Sequence, residues 1–285
     1  MVYGFVRVHN RLSNDQYRYR SVSKSIEYVY VESGFFGVRN VFFSLKLPLS
    51  VTTAIVSHVM YLIGIYQLIV HQKFATMMFG IWYGWWCGVS ITAGAHRLWA
   101  HRSYEAHWSV RLFLAIGFTI SGQSSILDWC RGHRVHHKWS DTDSDPHNVK
   151  RGFWFAHLGW LYATEHPDVI RAETQIRTDD LESDPIVHFQ HKYYLPLFYI
   201  WSAFIPILLH VLVIGDTWID GIIVGCLLRN METLHATAFV NSAAHMFGYR
   251  PYNSKIMSVE NVIVSMGGMG EGMTSFRVVT IFGIS

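Results

Sequence analysis

The chain has 285 residues and a mass of 32.9 kDa, with 51% hydrophobic and only 15% charged residues, against the ~25% charged that is usual in soluble proteins. Its 23 Lys and Arg against 20 Asp and Glu leave a formal charge of +3, too small and too scattered for a nucleic-acid surface, and a mean hydropathy of +0.19 excludes a disordered chain. This is the composition of a membrane protein, and its 17 histidines are an excess that needs a chemical reason.

Taken in order, residues 1–46 form a polar, basic arm carrying Arg7, Arg11, Arg18, Arg20, Lys24, Arg39 and Lys46. The arm lacks the short apolar core and cleavage site of a signal peptide. Residues 47–70 and 75–95 are uncharged and long enough for the ~20 residues that cross a bilayer, and they predict a hairpin about His71, Gln72 and Lys73. Residues 108–122 and 152–162 are apolar but too short to cross, so interfacial or buried helices are expected there. Residues 193–214 predict a third span and 217–240 a fourth. The fourth carries Asp220, Arg229 and Glu232, which are costly in hydrocarbon and so face a bundle interior or a site.

Lys and Arg concentrate in the arm, in segment 96–192 and after residue 241, while the two hairpin loops hold only Lys73. The positive-inside rule then puts both termini and the central segment in the cytosol. The expectation is an all-α membrane protein of four transmembrane helices with a cytosolic helical cap. A single domain, 47–272, lies between the arm and a divergent tail, 273–285. Cys87, Cys130 and Cys226 are far apart and read as packing residues in a reducing compartment.

Two tight histidine clusters fall in the cap. His96 and His101 occur as HRLWAH where the second span ends. Five residues subtend ~140° on a regular α-helix, so both reach one metal only if the helix ends or bends there. HRVHH places His133, His136 and His137 at i, i+3 and i+4, with adjacent His136 and His137 diverging by ~100° and so able to serve two metals. NSAAH adds Asn241 and His245 one turn apart at the cytosolic end of the fourth span. Imidazole suits iron, zinc, copper and nickel alike. The SDTDSDP run fails as a calcium loop because Pro146 and Gly152 stand where Gly and Glu are required, and reads instead as capping and turn residues that hold the second cluster. GGMGEG lacks dinucleotide-binding spacing, and no HExxH is present.

The motifs SITAGAHRLWAHRSYEAH, DWCRGHRVHHKWSDTDSDPHN, KRGFWFAHLGWL, VNSAAHMFGYRPY and GGMGEG together resemble the membrane acyl-CoA desaturases of the stearoyl-CoA delta-9 type and their insect relatives. The likeness is collinear from about residue 40 to Gly272. It implies a multi-pass protein of the endoplasmic reticulum membrane that uses O2 to insert a cis double bond into a long-chain fatty acyl-CoA. It further implies two irons held by histidine, with electrons from cytochrome b5 and its NADH-dependent reductase. Carried over by motif, the iron ligands are His96, His101, His133, His136, His137 and His245, Asn241 holds a metal-bound water, and Trp129 and Arg131 belong to the substrate site.

Three departures accompany the likeness. The family's third histidine box, typically FHNYHH, is replaced after GEG by MTSFRVVTIFGIS, with Thr274, Arg277 and Val278 at its ligand positions. One iron then keeps most of its ligands and the other chiefly His136 and His245, so the expectation is a chain cut before the third box, impaired in catalysis, with fewer than two tightly held irons. Thr164 and Glu165 stand where family members often have Arg-Lys, and Gly132 replaces an Asp. Two alternatives stay open: a non-catalytic truncated paralogue that pairs with or regulates a complete desaturase, and a membrane diiron hydroxylase.

Overall fold

The computed structural model describes residues 48–70, 73–249 and 259–271, together with a short antiparallel pairing of Val29–Tyr30 with Phe42–Phe43. The remainder of the N-terminal arm and the tail positions Thr274, Arg277 and Val278 lie outside the described residues. Apart from that pairing, an isolated bridge between Tyr249 and Glu260 and a bridge residue at Ala163, the described residues are helix, turn and loop.

Helix α1 (Pro48–Val70) is followed by α2 (Phe74–Val89), which runs on without a break into the π-wound segment Ser90–Ala100. Helices α3 (Trp108–Ser121) and α4 (Ile126–Trp139) meet at 82°. The corner has a local cause. Gly122 ends α3 at φ 72°, the left-handed cap that glycine adopts without strain, and the Ser125 side chain accepts from the Asp128 backbone N–H to start α4. After short helices comes α5 (Tyr194–Ile214), then Trp218–Asp220 and Gly221–Leu228 leading into α6 (Arg229–Met246), and finally α7 (Val262–Gly267).

By length and composition, Thr52–Val70 and Tyr194–Ile214 are apolar enough to cross a membrane, and the bent α3–α4 pair makes a third candidate if it counts as one span. The expected second and fourth spans are helical, but neither is a membrane candidate by the same measure.

The surface of the helical sector is apolar and its interior holds polar groups. Ile69 and Val213 are 77% and 74% exposed, whereas Thr76, Ser202 and His210 are fully buried and Arg229 nearly so. That inversion suits hydrocarbon, in which polar groups must satisfy one another. Arg229 donates to the carbonyls of Gly225, Ile120 and Ser202 and to the Ser202 hydroxyl, tying α6 to the end of α3 and to α5. The expected hairpin loops meet at a second knot. Asp216 accepts from Thr76 at 2.5 Å and from His210 at 3.0 Å, and its carboxylate pairs with Lys73 at 3.3 Å. Burial raises the Asp216 carboxyl's pKa, but these three partners outweigh it and hold it below its ordinary value. Lys73 and His96 are separated by one continuous helix about 34 Å long at ~1.5 Å per residue, comparable with a ~30 Å hydrocarbon core. The knot and the histidines therefore lie at opposite ends of the bundle.

Candidate metal centre

His96 lies in the π-wound segment and His101 caps its end, with the His101 backbone N–H donating to the His96 carbonyl at 2.9 Å. That i to i+5 bond marks a π-turn, a feature often found at functional sites. It resolves the angular conflict in HRLWAH by stacking residues five apart, and the two rings lie 4.5 Å between centroids. Arg134 holds the segment end in place through bonds to the Trp99 and Ala100 carbonyls, while Asp180 clamps its guanidinium at 2.6 and 2.9 Å. On α4, His133 and His137 lie one turn apart with their rings edge to face, centroids 4.4 Å apart.

One nitrogen from each of His96, His101, His133 and His137 falls within 4.8 Å of the others. The His101 and His133 Nε2 atoms are 3.1 Å apart, close to the ~3.3 Å expected for two nitrogens bound to one tetrahedral ion at ~2.05 Å. Burial, compounded by the neighbouring histidines, pushes His133 and His137 well below the ordinary imidazole range. Neutral imidazole is the form that binds metal, so this donor set fits a soft-to-borderline divalent ion such as ferrous iron.

His136 faces the other way. Its Nδ1 donates to Asp145 Oδ1 at 2.9 Å, and its ring lies 4.4 Å from that of His147 and 5.4 Å from that of His245. His136, Asp145 and His147 form a second group of metal-donor type, all buried. Burial lowers the His136 pKa, but the Asp145 carboxylate outweighs it and raises it. For Asp145 burial acts upward and His136 prevails, holding it far below the usual carboxylate range. His147 is pushed down to about 3 by burial and by His136. The His147 and His245 Nδ1 atoms and Asp141 Oδ1 are buried without a hydrogen bond; His147 Nδ1 lies 3.5 Å from Asp145 Oδ1, and His245 Nδ1 lies 3.7 Å from Asp141 Oδ1.

A cavity of about 680 Å³ passes both groups, within the ~300–1,000 Å³ usual for ligand sites. Lys138, Thr142 and Lys150 line one part, His96, His133, His136, His137 and His245 another, and Gly84, Gly88 and Thr233 a third. Of the expected substrate residues, Trp129 lines the cavity and stacks on His133 at 4.8 Å. Its indole N–H donates to Gln123, whose amide donates to Thr237 on α6. Arg131 pairs with Asp128 at 3.2 Å and is not among the lining residues; among the described residues, the lysines that line the cavity are Lys138 and Lys150. Asn241 lines the cavity four residues before His245.

Sequence reasoning assigned no individual role to Gln123, Thr237, Lys138, His147, Lys150 or Glu271. Of these only His147 carried a signal, as one more histidine ten residues after the end of HRVHH.

The fatty acid desaturase family model matches residues 73–265. The acyl-CoA Delta-9 desaturase of Acheta domesticus is 47% identical over 77% of this chain and 61% of its own length. The Delta(9)-fatty-acid desaturase fat-7 of Caenorhabditis elegans is 43% identical over 77% and 65%, and the stearoyl-CoA desaturase of Homo sapiens 44% over 72% and 57%. The chain thus spans about three-fifths of the length of these relatives. With the family model matched over residues 73–265, relatives at 43–47% identity and a histidine centre against a cavity, the chain belongs to the fatty acid desaturase family.

Proposed function

We propose that the chain is an acyl-CoA desaturase that inserts a cis double bond, at delta-9, into a long-chain fatty acyl-CoA. The observation that carries this reading is the cavity of about 680 Å³ lined by His96, His133 and His137 of the grouped histidines. An alkyl chain has no polar handle, so regioselectivity has to come from how far a narrow apolar tunnel lets it advance past the metals. Trp129, braced through Gln123 to Thr237, gives that tunnel a rigid wall beside His133. Lys138 and Lys150 supply cationic groups for the phosphates of coenzyme A.

His96, His101, His133 and His137 hold one iron, and His136 and His245 belong to the other, with Asn241 holding its bound water. Two redox-active irons supply what zinc cannot, the reducing equivalents that turn O2 into an oxidant for an unactivated methylene. The protein's own part is to hold neutral imidazoles in register, to keep water from the buried chain and to bind the head group. Cytochrome b5 and its NADH-dependent reductase are the proposed electron donors. The proposed setting is the endoplasmic reticulum membrane, with four spans, both termini and the histidine cap in the cytosol. With residues 273–285 in place of the third box, the chain as it stands is impaired.

The test is expression in a desaturase-deficient yeast of the 285-residue chain and of a version carrying the family's third box and tail from residue 273. The repaired version is expected to restore growth without unsaturated fatty acid and to yield cis-unsaturated acyl chains, while the unrepaired one fails. Hydroxylated fatty acids or sterols without unsaturated chains would replace the reading with a hydroxylase. Full rescue by the unrepaired chain would overturn the ligand assignment.

A further inference from the structure

The turn after α7 reaches back to the first histidine group. Gly268 N–H donates to the Val264 carbonyl and Gly270 N–H to that of Ser265, both at 2.7 Å, and Met269 and Gly270 take left-handed backbones with φ 51° and 89°. Met269 packs on the bare face of Gly88 in α2, where a Cβ would lie 2.7 Å from its terminal methyl carbon. Two residues on, Glu271 is buried with Oε2 2.8 Å from His96 Nδ1, and its Oε1 lies 3.6 Å from Arg97.

An ionised carboxylate only accepts hydrogen bonds, so an ionised Glu271 facing a neutral imidazole at 2.8 Å places the His96 proton on Nδ1 and leaves the lone pair on Nε2. The second metal group repeats this pattern in the Asp145–His136 pair. We propose that Glu271 is a positioning residue for the four-histidine metal site, acting through the tautomer and ring orientation of His96. This rests on the metal-binding reading of that site. The turn is anchored at one end on Gly88 and at the other on His96, so the segment that walls the cavity also sets one ligand of the metal.

The probe is Co(II) titrated into the purified full chain in detergent and followed by its ligand-field absorption, which reports coordination without turnover. Glu271→Ala should weaken Co(II) binding ~10–100-fold and shift the absorption band, the usual consequence of losing a partner that orients a ligand histidine. Glu271→Gln keeps the volume and the acceptor oxygen, so it should hold the band position and lose only a few-fold, which also guards against misfolding of the alanine variant. In a His96→Ala background Glu271→Ala should have no further effect, since a residue acting through another shows full coupling to it. Unchanged affinity and spectrum in both single variants, beside clear binding by the unsubstituted chain, would overturn the role of Glu271 alone. Absence of any histidine-bound Co(II) signal from the unsubstituted chain would overturn the metal reading and this role with it.

Discussion

The two histidine groups lie side by side yet are held by different physics. In the first, four rings from two helical segments crowd one another, and burial keeps His133 and His137 neutral. In the second, His136 and His147 gather around the fully buried Asp145, whose carboxylate raises the pKa of one histidine while the other stays depressed. Helix periodicity makes this split: one step between His136 and His137 turns the rings to different sides of α4. A single turn of sequence therefore feeds two sites of unlike electrostatics.

Removing a ligand that belongs to one group alone should separate them most sharply. His133→Ala takes a donor from the first group only, and metal binding there should fall by well over ~100-fold, beyond what loss of an outer partner costs. Binding at the His136 side should stay measurable. Metal content per chain, with isothermal titration of the apo protein, reads both. Equal loss at both groups would show one coupled site and erase the distinction.

Asp145→Asn tests the other side. It keeps the shape but removes the charge that polarises His136, so binding at the second group should weaken ~10–100-fold while the Co(II) band of the first is unchanged. A shift in that band would mean that Asp145 organises the whole of α4.

The smallest effect is on stability against pH in the metal-free chain. His133, His137 and His147 have folded-state pKa values below their unfolded ones. Above about pH 6.5 both states are neutral and the full stability is present. As pH falls below that, the unfolded state takes protons that the folded state refuses, at up to ~1.4 kcal/mol per histidine per pH unit. His136 is raised and acts in the opposite sense, favouring the fold as pH falls. The thermal midpoint in detergent should therefore drop between pH 7.5 and 5.5. His137→Gln should make the drop shallower and His136→Gln steeper. Identical slopes in both variants would show that the groups titrate as one.

The sequence by itself determined the helical, apolar character of the chain, the placing of the histidines and their division between two sides of α4, because helical period and hydropathy are local properties. It also carried enough motif to identify the family. It left open how His96 and His101 reach one site, since an α-helix forbids it; only the π-wound end of α2, pinned by Arg134 and Asp180, decides that. Asp145 was visible only as a capping and turn residue and Glu271 only as part of the GGMGEG motif, and Arg131 stood where Lys138 and Lys150 line the cavity. Those assignments belong to the tertiary structure because the aim of a side chain depends on which distant segment packs against it. The meeting of Glu271 with His96 comes from the chain's return to α2 through Met269 on Gly88, which no periodicity encodes.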